Sequence, residues 1–149
     1  MGKYAVKKID EMEGIYGGAF KRARAELGVE SFGMAIIDMP PNFDRYPTHD
    51  HAEDGQEEVF IALRGGGEIV IEDERHPLDA DHVAMVGPGV RRKVLPGEEG
   101  IRVLILGGNA GQAYTPHART ELGEPDPMVD ASLKPKNLIS DEARSPGTS

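Results

Sequence analysis

Two histidines stand two positions apart, His49 and His51, and a carboxylate, Glu58, follows after an acidic turn. In extended backbone, residues two apart project from one side, so the two imidazoles point the same way. Glu58 opens the apolar run Val59-Phe60-Ile61-Ala62-Leu63, whose length and β-branched and aromatic members read as a strand. Alternation then places Glu58, Phe60 and Ala62 on one face and Val59, Ile61 and Leu63 on the other. Two paired strands would bring the imidazoles and the carboxylate together. Two histidines and one carboxylate form the ligand set of a facial metal triad, with open positions for substrate or oxygen, and the set suits iron, manganese, nickel or zinc.

These residues resemble the first motif of the cupin family: H-x-H, three or four residues, E, six residues, G. His49-Asp50-His51 matches the opening, and the interval from Glu58 to Gly65 matches the closing spacing. The interval from His51 to Glu58 holds six residues, a two-residue expansion of the loop. The second cupin motif falls on residues 81–93, DHVAMVGPGVRRK, where Gly89 survives, Pro88 is displaced by one, and Arg92 stands at the position of the family's fourth ligand, a histidine. The resemblance covers residues 32–106. It implies an all-β jelly-roll barrel, a small-molecule pocket inside it, and metal-templated chemistry of the oxygenase or isomerase type, or else non-catalytic ligand binding.

Arg92 decides between these. A guanidinium stays protonated and ligates no metal. Within ~5 Å of a divalent ion it would be repelled by roughly 6–7 kcal/mol at an effective dielectric near 20. A buried Glu58 needs a partner, and its two candidates are a metal and Arg92 itself. Three arrangements follow: a metal on His49, His51 and Glu58 with Arg92 anchoring an anionic ligand; a metal-free pocket with a Glu58–Arg92 pair; and a relic site with no ligand. Arg92 could instead turn outward with Arg91 and Lys93 as a solvated strip. Gln56 shares the parity of Glu58 and is a second candidate for ligand contact, against a loop surface role. Tyr46, with Phe43 and Arg45, would rim a pocket mouth, or else anchor its own loop. Asp50, Glu53, Asp54 and Glu57 read as a solvated acidic loop, His76 and His82 as exposed turn residues, and His117 as an arm residue that nothing places at a site.

The rest of the chain must position these groups. With 149 residues, one core is feasible. Seventeen Lys and Arg stand against 26 Asp and Glu, a net charge of −9, which opposes binding to nucleic acid and anionic membranes. The absence of cysteine removes disulfide and thiol chemistry, the N-terminus carries no apolar signal-like stretch, and no apolar run approaches ~18 residues. A cytoplasmic location is the expectation.

Three regions are expected: an N-terminal extension over residues 1–30, a barrel over 31–108, and an arm with a flexible tail over 109–149. The extension holds a possible strand at Tyr4-Ala5-Val6 and a short surface helix over 19–27, its basic side solvated and Gly28 stopping it. Residues 31–39 form a strand apolar on both faces, ended by Pro40-Pro41. A hairpin turns at residues 72–74, a strand spans 83–86, Gly87-Pro88-Gly89 breaks the chain, and a second hairpin turns at residues 96–100. Because residues 31–39 and 101–106 are apolar on both faces, a homodimer through the sheet is expected.

Overall fold

A computed structural model describes residues 2–130 of the chain. It is built on one seven-stranded antiparallel sheet. The strands are β1 (Gly14–Ile15), β2 (Phe20–Lys21), β3 (Gly33–Met39), β4 (Glu57–Ile71), β5 (Glu74–Leu78), β6 (Val83–Val86) and β7 (Arg92–Gly108). Their order is β1-β2-β3-β7-β4-β5, with β6 paired to β4.

The two long strands organise everything else. β4 and β7 pair along their whole lengths, from Glu57 opposite Gly108 to Ile71 opposite Arg92. Residues 96–100 therefore do not turn a hairpin. Between the pairs Gly65–Ile101 and Gly67–Pro96, residues 97–100 oppose the single Gly66, so the chain bulges and carries on in the same strand. Turn-forming residues bend a strand here because the partner strand has its own bend at the same place. Gly65 sits at φ 69°, a left-handed conformation that favours glycine, and a Cβ there would strike the Gly100 carbonyl oxygen. A Cβ on Gly67 would strike the carbonyl oxygen of Leu95. The Gly65-Gly66-Gly67 run is the corner at which the strand turns.

The corner closes a barrel. Phe60, Ile69, Val94, Val103 and Ile105 all lie within 1% of complete burial in the shared core. The two-residue turn Glu72-Asp73 joins β4 to β5 with Ile71 opposite Glu74, as the polar turn signal predicts. β3 ends at Met39, before Pro40-Pro41, and β6 covers the expected 83–86.

The N-terminal part differs from expectation in three ways. Tyr4 and Val6 are exposed and form no strand. Phe20 and Lys21 belong to β2, opposite Ile37 and Ile36, so the helix is only α1 (Ala23–Leu27), stopped by Gly28 at φ 75° as expected. The basic side of that segment is not solvated: Arg22 and Arg24 are 2% and 7% exposed. Arg22 donates to the carbonyls of Arg119 and Glu124 and pairs with Glu13, and Arg24 pairs with Glu121. These two guanidiniums fasten the arm to the N-terminal segment. The outer face of β3 is covered from within the same chain, because Ile36 packs on Met12 and Ala23. That removes the first ground for a dimer, since the second apolar face of residues 31–39 needs no partner subunit. The expected tail from residue 132 onward lies outside the described residues.

Candidate metal centre and its surroundings

His49 and His51 sit in an irregular loop rather than on a paired strand. One antiparallel bridge fixes the first of them: His49 N–H donates to Arg92 O at 3.0 Å and Arg92 N–H to His49 O at 2.8 Å. His51 N–H donates to Pro88 O at 2.6 Å. Glu58, Phe60 and Ala62 all face the core, as the alternation along β4 predicts. His49, His51 and Glu58 consequently converge, with one ligand atom of each lying within 4.8 Å of the others. Their side chains are 7%, 3% and 0% exposed.

The hydrogen bonds at the far side of each ring decide which nitrogen is available. His49 Nδ1 lies 3.2 Å from Pro47 O, an atom that only accepts, so Nδ1 carries the proton and Nε2 the lone pair. His51 Nδ1 lies 3.0 Å from both carboxylate oxygens of Asp54, which orient that ring in the same sense. Both Nε2 atoms then lie near Glu58 Oε1, at 3.9 Å and 3.3 Å, and both are buried without a hydrogen bond among the described residues. A carboxylate or carbonyl behind each imidazole is the outer support that metal-ligating histidines usually have. The residues fit a metal on that ground. Asp54 was not readable as part of the site; its signal is the i, i+3 spacing from His51 inside the expanded loop.

Electrostatics separate the two rings. Burial pushes the His49 pKa down and keeps the ring neutral. Burial also acts downward on His51, but the Glu58 carboxylate 3.3 Å from Nε2 and the Asp54 carboxylate behind the ring more than offset it and carry its pKa upward. A proton on His51 therefore competes with any cation for Nε2.

Arg92 points inward and is fully buried, unlike its neighbour Arg91, which pairs with Glu72 on the surface. Its Nη1 lies 3.4 Å from Glu58 Oε1 and its Nη2 donates to Gly87 O at 2.6 Å, while Nε has no hydrogen-bond partner among the described residues. Gln56 is buried, and its Oε1 has no hydrogen-bond partner among the described residues. Tyr46 is buried against His49, ring centroids 5.8 Å apart, and burial followed by the charge of Glu58 pushes its phenol pKa up. His49, His51, Glu58, Arg92 and Tyr46 are thus drawn to one region, while among the described residues the Gln56 side chain makes no contact with them that marks it as part of the same group. Asp50 is exposed and His76 and His82 stay at the surface, as expected. His117 departs from expectation: burial and then Arg119 push its pKa down, and it lies close enough to Asp54 and His51 to feel their charges. The arm passes near the ligand loop, and Asn109 of the arm donates to Asp54 O.

No protein-family model matches the chain, and no curated protein matches it in sequence. Solved structures do. One similar structure is a cupin protein from Bacteroides fragilis, 19% identical, covering 84% of this chain and 99% of that one with a TM-score of 0.60. Another is a sugar phosphate isomerase from a cupin superfamily, from Silicibacter pomeroyi, also 19% identical, covering 75% of this chain and 77% of that one with a TM-score of 0.60. Likeness at this identity concerns the fold, and with the strand order, the paired β4–β7 corner and the inward histidines it leads to one conclusion: this chain has the cupin jelly-roll fold.

Proposed function

We propose that the protein binds a divalent transition metal through His49, His51 and Glu58 and a small molecule beside it, with Arg92 as the anchor for an anionic group of that ligand. The observation that carries this reading is the pair of buried Nε2 lone-pair positions aimed at one carboxylate, each ring held from behind by an acceptor. A metal there would supply Lewis-acid activation of an oxygen-rich ligand at its open positions, the chemistry of oxygenases and isomerases. Arg92 Nε, without a hydrogen-bond partner among the described residues, is a further polar atom beside Glu58 that a ligand would satisfy.

The second reading is a metal-free binding pocket, and the Glu58–Arg92 pair at 3.4 Å favours it. Metal content of protein purified without an affinity tag separates the two. About one equivalent of iron, manganese, nickel or zinc supports the first; none, with none taken up on addition, supports the second.

Assembly as a homodimer belongs to the same proposal, on different ground from the sequence argument. Val83 and Met85 on β6 are 71% and 62% exposed and lie beside Ile61 and Val59 of β4, an apolar strip on the outer face of the sheet. Light scattering should give a dimer mass that Met85→Glu reduces to the monomer. Among the described residues no helix is long and apolar enough to cross a membrane.

A further inference from the structure

Tyr46 is a shared wall. It meets His49 in the candidate metal centre and also lines a cavity of about 350 Å³. That volume falls within the range of small-molecule sites and has room for one ring with a short side chain. Carbon dominates the lining: Phe20, Ile37, Met39, Phe43 and Pro47 contribute with Tyr46. Two charged residues reach the cavity, and they differ. Asp38 is committed to Arg102, at 2.7 and 3.1 Å. Arg45 lies with its guanidinium carbon 5.2 Å from the centre of the Phe43 ring, and among the described residues it makes no ion pair.

We propose that this cavity binds a monocyclic aromatic carboxylate, its ring among Phe20, Phe43 and Tyr46 and its carboxylate on Arg45. This site is additional to the one proposed above: Tyr46 stands between the cavity and the candidate metal ligands, and the anion here is held by Arg45 and not by Arg92. Three physical points favour that chemistry. Phe and Tyr rings offer offset and edge-on packing to another ring. A guanidinium held over the Phe43 ring can grip a planar carboxylate with two parallel bonds. Because Asp38 is committed to Arg102 and Arg45 has no ion pair among the described residues, Arg45 is the charge left to the cavity, and it favours an anion there. A sugar phosphate fits poorly here, because each hydroxyl would lose water against a wall that offers few hydrogen-bonding partners.

The test uses the full-length protein stripped of metal with EDTA, so that it succeeds or fails apart from the metal reading. Phenylacetate, benzyl alcohol and glucose 6-phosphate are titrated separately and followed by aromatic-ring NMR, since Tyr16, Phe20, Phe43 and Tyr46 line the cavity and the chain has only four Tyr and four Phe. Phenylacetate is expected to bind with saturation and to shift the rings of Phe43 and Tyr46. Arg45→Gln, at an exposed position, should weaken phenylacetate at least fivefold and leave benzyl alcohol within twofold. Any of three results overturns the proposal: glucose 6-phosphate binding more tightly than phenylacetate, phenylacetate shifting only rings outside the cavity or none at all, or an unchanged phenylacetate affinity in Arg45→Gln.

Discussion

Glu58 and Arg92 touch across the barrel although they belong to opposite ends of the same strand pair. Arg92 is in register with Ile71, and Glu58 with Gly107, yet Arg92 Nη1 and Glu58 Oε1 lie 3.4 Å apart. Straight strands would put positions 58 and 71 about 40 Å apart, at roughly 3.3 Å per residue. The contact exists because β4 and β7 fold back on themselves at the Gly65-Gly67 corner. The two charges are fully buried, so each depends on the other.

Breaking that pair from one side should be costly. Glu58→Leu leaves a buried guanidinium without its counter-charge and is expected to lower stability by about 3–5 kcal/mol. Adding Arg92→Met removes the stranded charge and should restore most of the loss. Urea unfolding of the single and double variants measures both; a double variant no more stable than the single one would show that the pair is not the source.

The identity of residue 92 should set metal affinity. Arg92→His replaces an inward positive charge with an imidazole, and both changes favour a dication. Affinity for zinc or nickel is expected to rise at least tenfold, about 1.4 kcal/mol. His51→Ala in the same background should abolish the gain. Calorimetric titration of the three proteins is the check, and equal affinity in wild type and Arg92→His would contradict the metal assignment.

Proton competition at His51 predicts a pH dependence. Its pKa is raised above the ordinary 6.5, so the ring is protonated below that raised value and free above it. Metal affinity should accordingly fall as pH drops through the raised pKa, by up to about tenfold per pH unit for one competing proton. Asp54→Asn removes one of the causes that raise it and should move the midpoint to lower pH. The same substitution loosens the ring and should weaken binding by about 10–100-fold at high pH.

The corner should be intolerant of side chains. Gly67→Ala drives a Cβ into the Leu95 carbonyl and the Pro96 backbone, and is expected to cost on the order of 2 kcal/mol or more. Gly89→Ala meets nothing within 4 Å and serves as the control, expected within about 0.5 kcal/mol of wild type. Thermal or urea unfolding compares them.

The sequence by itself determined the class of fold and the candidate ligand set. Alternation along an extended strand puts Glu58, Phe60 and Ala62 on one face, but the run is apolar on both sides, so it is the motif spacing of Glu58 and not hydrophobicity that marks the inward face. The His-x-His spacing and the Gly and Pro stops are equally local, and each is legible without knowing what lies across the barrel. Tertiary structure decided the rest. Arg91, Arg92 and Lys93 are all charged, so no hydrophobic pattern says which of them turns inward. That depends on the bridge to His49 and on the pairing with Ile71. The same holds for residues 96–100, whose turn-forming composition suits a hairpin or a bulge alike, and only the matching corner in β4 selects the bulge. Arg22 and Arg24 read as surface charges until the arm, nearly a hundred residues later, supplies the carbonyls and carboxylate that make their burial affordable. Periodicity encodes which side of a strand is apolar; it holds no record of the distant partner that lets a charge be buried.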